Sequence, residues 1–204
     1  MRGLITAYEP FRGRKTNQSQ LVLEGVLANQ RLPSGWRGQT WPVHLPELRR
    51  RVQQVMANPP RIWLALGEAG KSSQSRLETR AHNRFDLEHD HVAEGNGVRA
   101  GLLESHGPPA LRAHWPVVQL TSAMAEKSHL VRLSDDSGSH CCNALLYLAN
   151  LEAQKNSLRP WIGFLHLPRL PSAIADHIRF IEDACLWLEG AAESYTLPPC
   201  NGLF

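Results

Sequence analysis

The sequence lacks any apolar run long enough to cross a bilayer, and its first residues contain no apolar core of a signal peptide. It has only four cysteines, and two of them are adjacent, an arrangement that ordinary disulfide frameworks do not use. Its 22 basic and 19 acidic residues leave a net charge of +3, which is too balanced to favour a nucleic-acid partner. These absences predict a protein of one domain, residues 1–204, that works in a reducing cytoplasm without contacting nucleic acid or a membrane.

The first part of the chain alternates between strand-like and helix-like segments. Apolar runs predict buried strands over Gly3 to Tyr8, Gln39 to Leu45 and Arg61 to Leu66. Helices are predicted between them, one capped by Asn17 and one over Pro46 to Ala57. This order predicts an α/β fold, specifically a three-layer α/β/α sandwich around a mostly parallel mixed sheet.

The second part of the chain is less regular at first. Residues 87–109 carry several glycines and prolines and many charges, which predict an irregular surface region. Pro116 to Lys127 favours a helix, although Val117 and Val118 leave a strand open. The further predictions are a strand over His129 to Ser134, a helix over Asn143 to Lys155, a strand over Trp161 to Leu167 and a final helix over Ser172 to Glu189.

Cys142 follows a predicted strand and a glycine-containing loop, and it stands at the start of a predicted helix. The first turn of a helix has free N–H groups and the positive end of the macrodipole, which stabilise a thiolate. The same N–H groups can bind an oxyanion formed during acyl transfer. Cys142 is therefore a candidate nucleophile, and the alternative is a small buried apolar residue at a helix start.

His166 lies at the carboxyl end of the predicted strand Trp161 to Leu167. Ligands of open α/β sheets gather at the carboxyl ends of the strands, where a histidine can take a proton from a thiol. The alternative is a core histidine bonded to backbone. A third group that fixes the imidazole tautomer usually completes a Cys–His pair, and Glu78 is the candidate. Taken alone, its segment favours a surface salt bridge with Arg76 or Arg80.

Four segments carry a resemblance to one family. The segments are Thr6 to Phe11; Gly67, Gly70, Glu78, Ala81 and Asn83; Ser134 to Asn143 with Tyr147; and Gly163 to Pro168. They resemble, in order and with similar spacing, the N-terminal, glutamate, cysteine and histidine motifs of the pyroglutamyl peptidase I family. The resemblance covers nearly the whole chain.

The resemblance implies a triad in which Cys142 attacks, His166 serves as base and then acid, and Glu78 orients His166. It implies a peptide or small amide substrate, no cofactor, and a homo-oligomer, either a tetramer or a dimer. In this family two aromatic rings sandwich the lactam ring of the substrate. Tyr8 and Phe11 occupy those positions here, and stacking suits a flat, mostly apolar ring.

The sequence also departs from the family pattern. Tyr8 stands where the family usually has Phe, and its hydroxyl needs a partner. Glu68 stands where the family usually has Gln; its carboxylate can accept from the lactam N–H but repels substrate carbonyls. Thr79 and His140 also differ, and the family's Arg-Ile-Pro-Asp-Asn stretch is not found within Asp86 to Gly97. These changes predict retained triad chemistry and an altered substrate pocket.

Three other arrangements suggest different chemistry. Glu88-His89-Asp90-His91 resembles a metal cluster but has no well-spaced third ligand, so we expect no metal. Cys141 could form a disulfide with Cys142 as a redox switch, although an apolar slot in the core suits it better. Ser137 or Ser139 could serve as a nucleophile, but the sequence has no Gly-x-Ser-x-Gly pattern.

The sequence thus supports one main hypothesis, a cysteine exopeptidase (an omega peptidase) that removes an N-terminal pyroglutamyl or related cyclic-amide residue through a thioester. Catalysis would rest on Cys142, His166 and Glu78, and substrate binding on Tyr8, Phe11 and Glu68. The alternative is a family member that binds modified N-termini without efficient turnover. A third hypothesis is an esterase or amidase on an unrelated small acyl substrate.

Overall fold

The computed structural model describes residues 1–70, 72–86, 100–155 and 159–194. None of the helices in these ranges is both long and apolar enough to cross a membrane. In chain order the elements are β1 (Gly3–Tyr8), α1 (Gln18–Ala28), β2 (Trp36–Trp41), α2 (Leu45–Ala57), β3 (Ile62–Ala69), β4 (Ser75–Glu78), β5 (Arg80–His82), β6 (Phe85–Asp86), β7 (Ala100–Gly101), β8 (Ala110–Arg112), α3 (Val117–Glu126), β9 (Val131–Ser134), α4 (Cys141–Lys155), β10 (Trp161–Pro168) and α5 (Ile174–Ser194).

The main sheet has six strands in the order β2-β1-β3-β10-β4-β9. Its neighbouring strands are parallel, except that β4 runs antiparallel to β10. The predicted α/β class with a mostly parallel mixed sheet is therefore confirmed. The strands β5 and β8 form a small antiparallel ribbon beside this sheet, and β6 and β7 form another.

Helices cover both faces of the main sheet because alternate residues of each strand point to opposite sides. Phe164 of β10 packs with residues of α2 and α4 on one face. Its neighbour Leu165 packs with residues of α1, α3 and α5 on the other face. The result is the predicted three-layer sandwich, in which His166 shares the face of Phe164 and therefore faces α4.

Several predicted boundaries differ from the observed ones. The strand predicted over Gln39 to Leu45 is β2, Trp36–Trp41, because the His44 imidazole accepts a hydrogen bond from Glu47 N–H at 3.3 Å and caps α2. The final helix continues to Ser194 after a short 3₁₀ turn at Pro171–Ala173. The region predicted to be irregular contains β7, and its residues 87–99 lie outside the described residues.

The helix favoured over Pro116 to Lys127 is confirmed as α3, so Val117 and Val118 are helical. The strand that ends at Glu78, β4, is an element that the sequence reasoning missed. This short strand has Arg76 and Glu78 on one face, so it does not show the apolar run expected of a buried strand. Arg76 and Glu78 are part of the candidate active site described below.

Candidate active site

Cys142 is the second residue of α4, and it lies in the first turn, at the positive end of the helix macrodipole. The loop before the helix turns at Gly138, whose φ of +85° favours glycine. Cys142 is half-buried and lines a cavity of about 290 Å³, which the side chains of Tyr8, Phe11 and His166 also line.

The start of α4 is fixed by Asn143, which is fully buried. Its amide oxygen accepts hydrogen bonds from His82 N–H at 2.8 Å and from the Ser137 hydroxyl at 2.9 Å. Its amide nitrogen donates to the carbonyls of His82 and Arg84, each at 2.8 Å. Because both ends of the amide are used, the first turn of α4 is held against β5 and the loop that precedes Cys142.

His166 and Glu78 are in direct contact across β10 and β4. The distance from His166 Nδ1 to Glu78 Oε1 is 2.7 Å, and the side chains are 6% and 0% exposed. A carboxylate so placed accepts from Nδ1–H and leaves Nε2 as the acceptor nitrogen of a neutral imidazole. The partner of His166 is thus a buried carboxylate, unlike the backbone-bonded core histidine of the alternative reading.

Gly67 brings Cys142 and His166 to the same place in the fold. It is the register partner of His166 in the parallel pair of β3 and β10. A Cβ atom added to Gly67 would lie 2.9 Å from Cys142 Sγ and 2.7 Å from Phe164 Cζ. Because Gly67 has no side chain, the thiol of Cys142 can lie against it, and Gly67 is paired with His166.

The Tyr8 ring lines the cavity, and its hydroxyl has the partner that its burial requires. It donates a hydrogen bond to the carbonyl of Cys141 at 2.8 Å. Burial raises the pKa of Tyr8 well above its usual range, and the negative charge that Cys142 and Cys141 carry as thiolates raises this pKa further. The hydroxyl thus stays protonated and serves as a donor. Phe11 lines the same cavity, and the guanidinium groups of Arg12 and Arg14 lie over its ring at 5.6 and 5.5 Å.

Glu68 also lines the cavity, and its side chain is 3% exposed. Arg14 holds both carboxylate oxygens, through Nη1–Oε1 at 2.7 Å and Nη2–Oε2 at 2.8 Å. Gln18 N–H donates to Oε2 at 2.8 Å. Burial alone raises the pKa of Glu68, but the hydrogen bonds from Arg14 and Gln18 outweigh burial and lower the pKa overall. Glu68 is therefore an ionised carboxylate whose charge is balanced by Arg14.

The structure adds residues that the sequence reasoning did not assign to the site. Arg76 lines the cavity, and its Nε lies 3.5 Å from Glu78 Oε1, so the ion pair considered for Glu78 exists but is buried. Arg14 and Asn143 were not assigned to the site either. Recognising β4 would have placed Arg76 and Glu78 on one face, whereas the long-range contact of Arg14 with Glu68 has no local signal.

The structure bears on the possible disulfide of Cys141 with Cys142, but not on the candidate metal cluster. Cys141, Cys142 and Cys185, the cysteines that the structure describes, carry thiols, so Cys141 and Cys142 are not joined by a disulfide here. Cys141 is buried in the core between the sheet and α2 and α4, as the apolar alternative predicts. The candidate metal cluster over residues 88–91 and the residue Cys200 lie outside the described ranges.

Comparison with known proteins gives one consistent family. A family model described as pyroglutamyl peptidase matches residues 1–191. The pyrrolidone-carboxylate peptidase of Coprothermobacter proteolyticus is 30% identical over 170 residues, which cover 81% of this chain and 80% of that protein. Pyrrolidone-carboxylate peptidase 1 of Caldanaerobacter subterraneus subsp. tengcongensis is 25% identical over 178 residues, 86% of each chain.

Solved structures agree with the fold. The pyrrolidone carboxyl peptidase from Thermococcus litoralis superposes with a TM-score of 0.82 at 20% identity, over 97% of this chain and 99% of that chain. Pyroglutamyl peptidase I of Bacillus amyloliquefaciens gives a TM-score of 0.80 at 20% identity, over 94% and 98% of the two chains. With the family model matched over residues 1–191, the resemblance of the four sequence segments is confirmed, and the chain belongs to the pyroglutamyl peptidase family.

Proposed function

We propose that this chain is a cysteine exopeptidase that removes an N-terminal pyroglutamyl residue, with Cys142 as nucleophile, His166 as general base and acid, and Glu78 as the residue that orients His166. The observation that carries the proposal is the buried 2.7 Å contact of His166 with Glu78, at the edge of the cavity that Cys142 also lines. Family membership supplies the class of substrate.

The reaction needs only groups of this chain and one water molecule. The Cys142 thiol gives its proton to His166, and the thiolate attacks the carbonyl carbon of the pyroglutamyl residue. The oxyanion formed in this step is stabilised by N–H groups of the first turn of α4. The C–N bond then breaks, the leaving amine takes the proton from His166, and a thioester remains on Cys142.

Hydrolysis of the thioester follows the same route in reverse. His166 takes a proton from water as the water oxygen adds to the thioester carbon. The C–S bond breaks, and the proton held by His166 returns to the sulfur. Pyroglutamate leaves, and the enzyme is restored. Glu78 keeps Nδ1 of His166 protonated throughout, so that Nε2 carries the transferred proton, and the buried carboxylate stabilises the imidazolium.

The pocket residues support recognition of a lactam. Tyr8 and Phe11 line the cavity, and aromatic side chains suit the binding of a flat, mostly apolar ring. An ionised carboxylate offers about four acceptor sites, and Glu68 uses three of them on Arg14 and Gln18. The fourth can accept the lactam N–H. The charge of Arg14 offsets the repulsion that a lone carboxylate would exert on the substrate carbonyls.

A fluorogenic pyroglutamyl amide tests this proposal. The wild-type protein should release the fluorophore, prior alkylation with iodoacetamide should stop the release, and the corresponding prolyl amide, which lacks the ring carbonyl, should react far more slowly. Tight binding of pyroglutamyl peptides by the wild-type protein without any turnover would replace the peptidase with the alternative of a binding protein. Turnover of simple acyl esters alone would favour the esterase or amidase hypothesis.

Two finer features belong to the same proposal. A cytoplasmic location suits a reaction that needs a reduced thiol, and cell fractionation would test it. A homo-oligomer is supported by the exposed apolar side chains of Val118, Leu130 and Leu133, which lie in or beside α3 and the edge strand β9. Light scattering on the purified protein, before and after Leu130→Glu, would test this assembly.

A further inference from the structure

Arg76 lies next to the proposed chemistry. It is directly opposite His166 in the antiparallel pair of β4 and β10, and Glu78 is the next residue of β4 on the same face. Residues directly opposite in such a pair have Cα atoms about 4.5–5.5 Å apart. Arg76 lines the cavity with a side chain that is 24% exposed, so part of this side chain is accessible to a bound molecule.

The charge of Arg76 is only partly matched. Its Nε lies 3.5 Å from Glu78 Oε1, an oxygen that also accepts from His166. The same Nε is buried and makes no hydrogen bond to any described residue. The acidic side chains that line the cavity already have basic partners, since Glu68 binds Arg14 and Asp136 binds Arg84. Among the described residues, Arg76 has one ion pair, the 3.5 Å contact with Glu78, so its terminal N–H groups are the donors that could bind an anion in the cavity.

The position of Arg76 relates it to the leaving group. In the proposed reaction His166 gives its proton to the leaving amine, so the atoms of the leaving residue lie beside His166. In a leaving amino acid the carboxylate carbon is only two bonds from that amine nitrogen. An arginine opposite His166 is therefore well placed to bind a free α-carboxylate, and a guanidinium matches a carboxylate in a bidentate geometry.

We propose that Arg76 is a substrate-binding residue that holds the α-carboxylate of the leaving amino acid, which makes pyroglutamyl amino acids, dipeptides with a free carboxylate, the preferred substrate class. The inference rests on the proposed function. It predicts that a longer peptide or a C-terminal amide binds more weakly, because neither brings a carboxylate to Arg76.

The test is binding to the Cys142→Ala protein, which cannot turn the ligand over. Calorimetry would compare pyroglutamyl-alanine with pyroglutamyl-alanine amide, which differ only in the carboxylate. We expect the acid to bind roughly tenfold to a hundredfold more tightly, as for a hydrogen-bonded charge pair. Adding Arg76→Met should remove the difference, and Arg76→Lys should keep part of it.

Arg132 provides a matched control. It is the register partner of Arg76 on β9, but it is exposed and is not part of the cavity lining. Adding Arg132→Met should therefore leave the preference for the acid intact. Thermal melts would establish that each variant is folded, and Arg76→Gln replaces Arg76→Met if the latter does not fold.

Three results would overturn the inference: equal binding of acid and amide, no binding of either, or an equal loss of both in Arg76→Met. The last would mean that Arg76 acts through Glu78 and the shape of the site. Failure of the proposed function can be distinguished from failure of the inference about Arg76. A strong preference for the acid in Cys142→Ala, together with no turnover by the wild-type protein, would leave the carboxylate site standing and remove the peptidase.

Discussion

The hydroxyl of Tyr8 donates a 2.8 Å hydrogen bond to the backbone carbonyl of Cys141, the residue directly before the candidate nucleophile. This bond joins the end of β1 to the first turn of α4, so a side chain of the substrate pocket also supports the thiol. A phenylalanine at this position, as is usual in the family, could not make the bond. The departure at Tyr8 therefore adds a link between pocket and nucleophile.

Tyr8→Phe should lower the free energy of unfolding by about 1 kcal/mol, because one buried hydrogen bond is lost and no large void is created. It should also change the alkylation rate of Cys142. Urea denaturation and timed labelling would measure the two effects. Tyr147→Phe is a matched control, since its hydroxyl donates to the carbonyl of Pro108 at 2.8 Å. It should lose similar stability without affecting Cys142, and unchanged stability in Tyr8→Phe would contradict the role of the bond.

Iodoacetamide should label Cys142 faster than Cys141 or Cys185 in the native protein. Cys142 is half-buried and lines the cavity, whereas Cys141 and Cys185 are buried in the core. Burial, aided by Glu182 and Glu189, also raises the pKa of Cys185 well above its usual value, which keeps it a thiol. Tandem mass spectrometry would separate Cys142 from its neighbour. Equal labelling of the three thiols would count against an activated Cys142.

The fold was largely predictable from the sequence, since apolar runs indicate the strands, and capping residues and helical spacing indicate the helices. Cys142 could be singled out in the same way, because a loop and a helix start are local features. Glu78 could be found only through the family motif. Its strand is short and has Arg76 and Glu78 on one face. These two positions carry residues of the candidate site, so the strand lacks the alternating apolar pattern by which a strand is recognised in a sequence.

The chemistry of the pocket was harder to predict than its location. Glu68 stood out as a departure, but its charge partner Arg14 lies 54 residues away in sequence. Contacts of this kind depend on how the carboxyl end of β3 and the loop after β1 come together in the fold. No periodic pattern in the sequence predicts them. The same holds for Arg76 and His166, which become neighbours only through the antiparallel pairing of β4 with β10.

The balance between Glu68 and Arg14 predicts a pH effect on stability. The pKa of Glu68 is lowered in the folded protein, so its ionisation stabilises the fold at pH values above about 4.3, the usual value for an unfolded Glu. This contribution is lost as the pH falls through the lower folded pKa, because the carboxyl group of Glu68 is then protonated in both the folded and the unfolded state.

Glu68→Gln should therefore cost about 1–3 kcal/mol at pH 7, by removing the charge that Arg14 and Gln18 bind. The gap between wild type and variant should narrow as the pH falls below about 4. Urea denaturation across the pH range would measure it. Glu24→Gln, on the exposed side of α1, is the control and should change little. A gap of constant size from pH 7 to pH 3 would rule out the ionised carboxylate as its source.

The proposed triad makes a prediction about non-additivity. If Cys142 and His166 act as one unit, Cys142→Ala and His166→Ala should each abolish turnover of a pyroglutamyl amide, and the double variant should be no worse than either single one. Glu78→Gln should lower kcat/KM by roughly tenfold to ten-thousandfold, because it keeps the shape but no longer stabilises the imidazolium. Substrate affinity should survive in Cys142→Ala, since the lactam pocket is formed by Tyr8, Phe11 and Glu68.

These measurements need folded variants. None of the three substitutions removes a large apolar side chain, so circular dichroism and thermal melts should show folded proteins. Asn150→Asp is a useful comparison, since Asn150 is a buried polar residue of α4 whose amide oxygen accepts from His114 N–H, away from the cavity lining. It should lose stability and keep activity. If His166→Ala retained full turnover while Cys142→Ala lost it, His166 would not be the base, and another group of the cavity, with His140 as the first candidate, would have to accept the thiol proton.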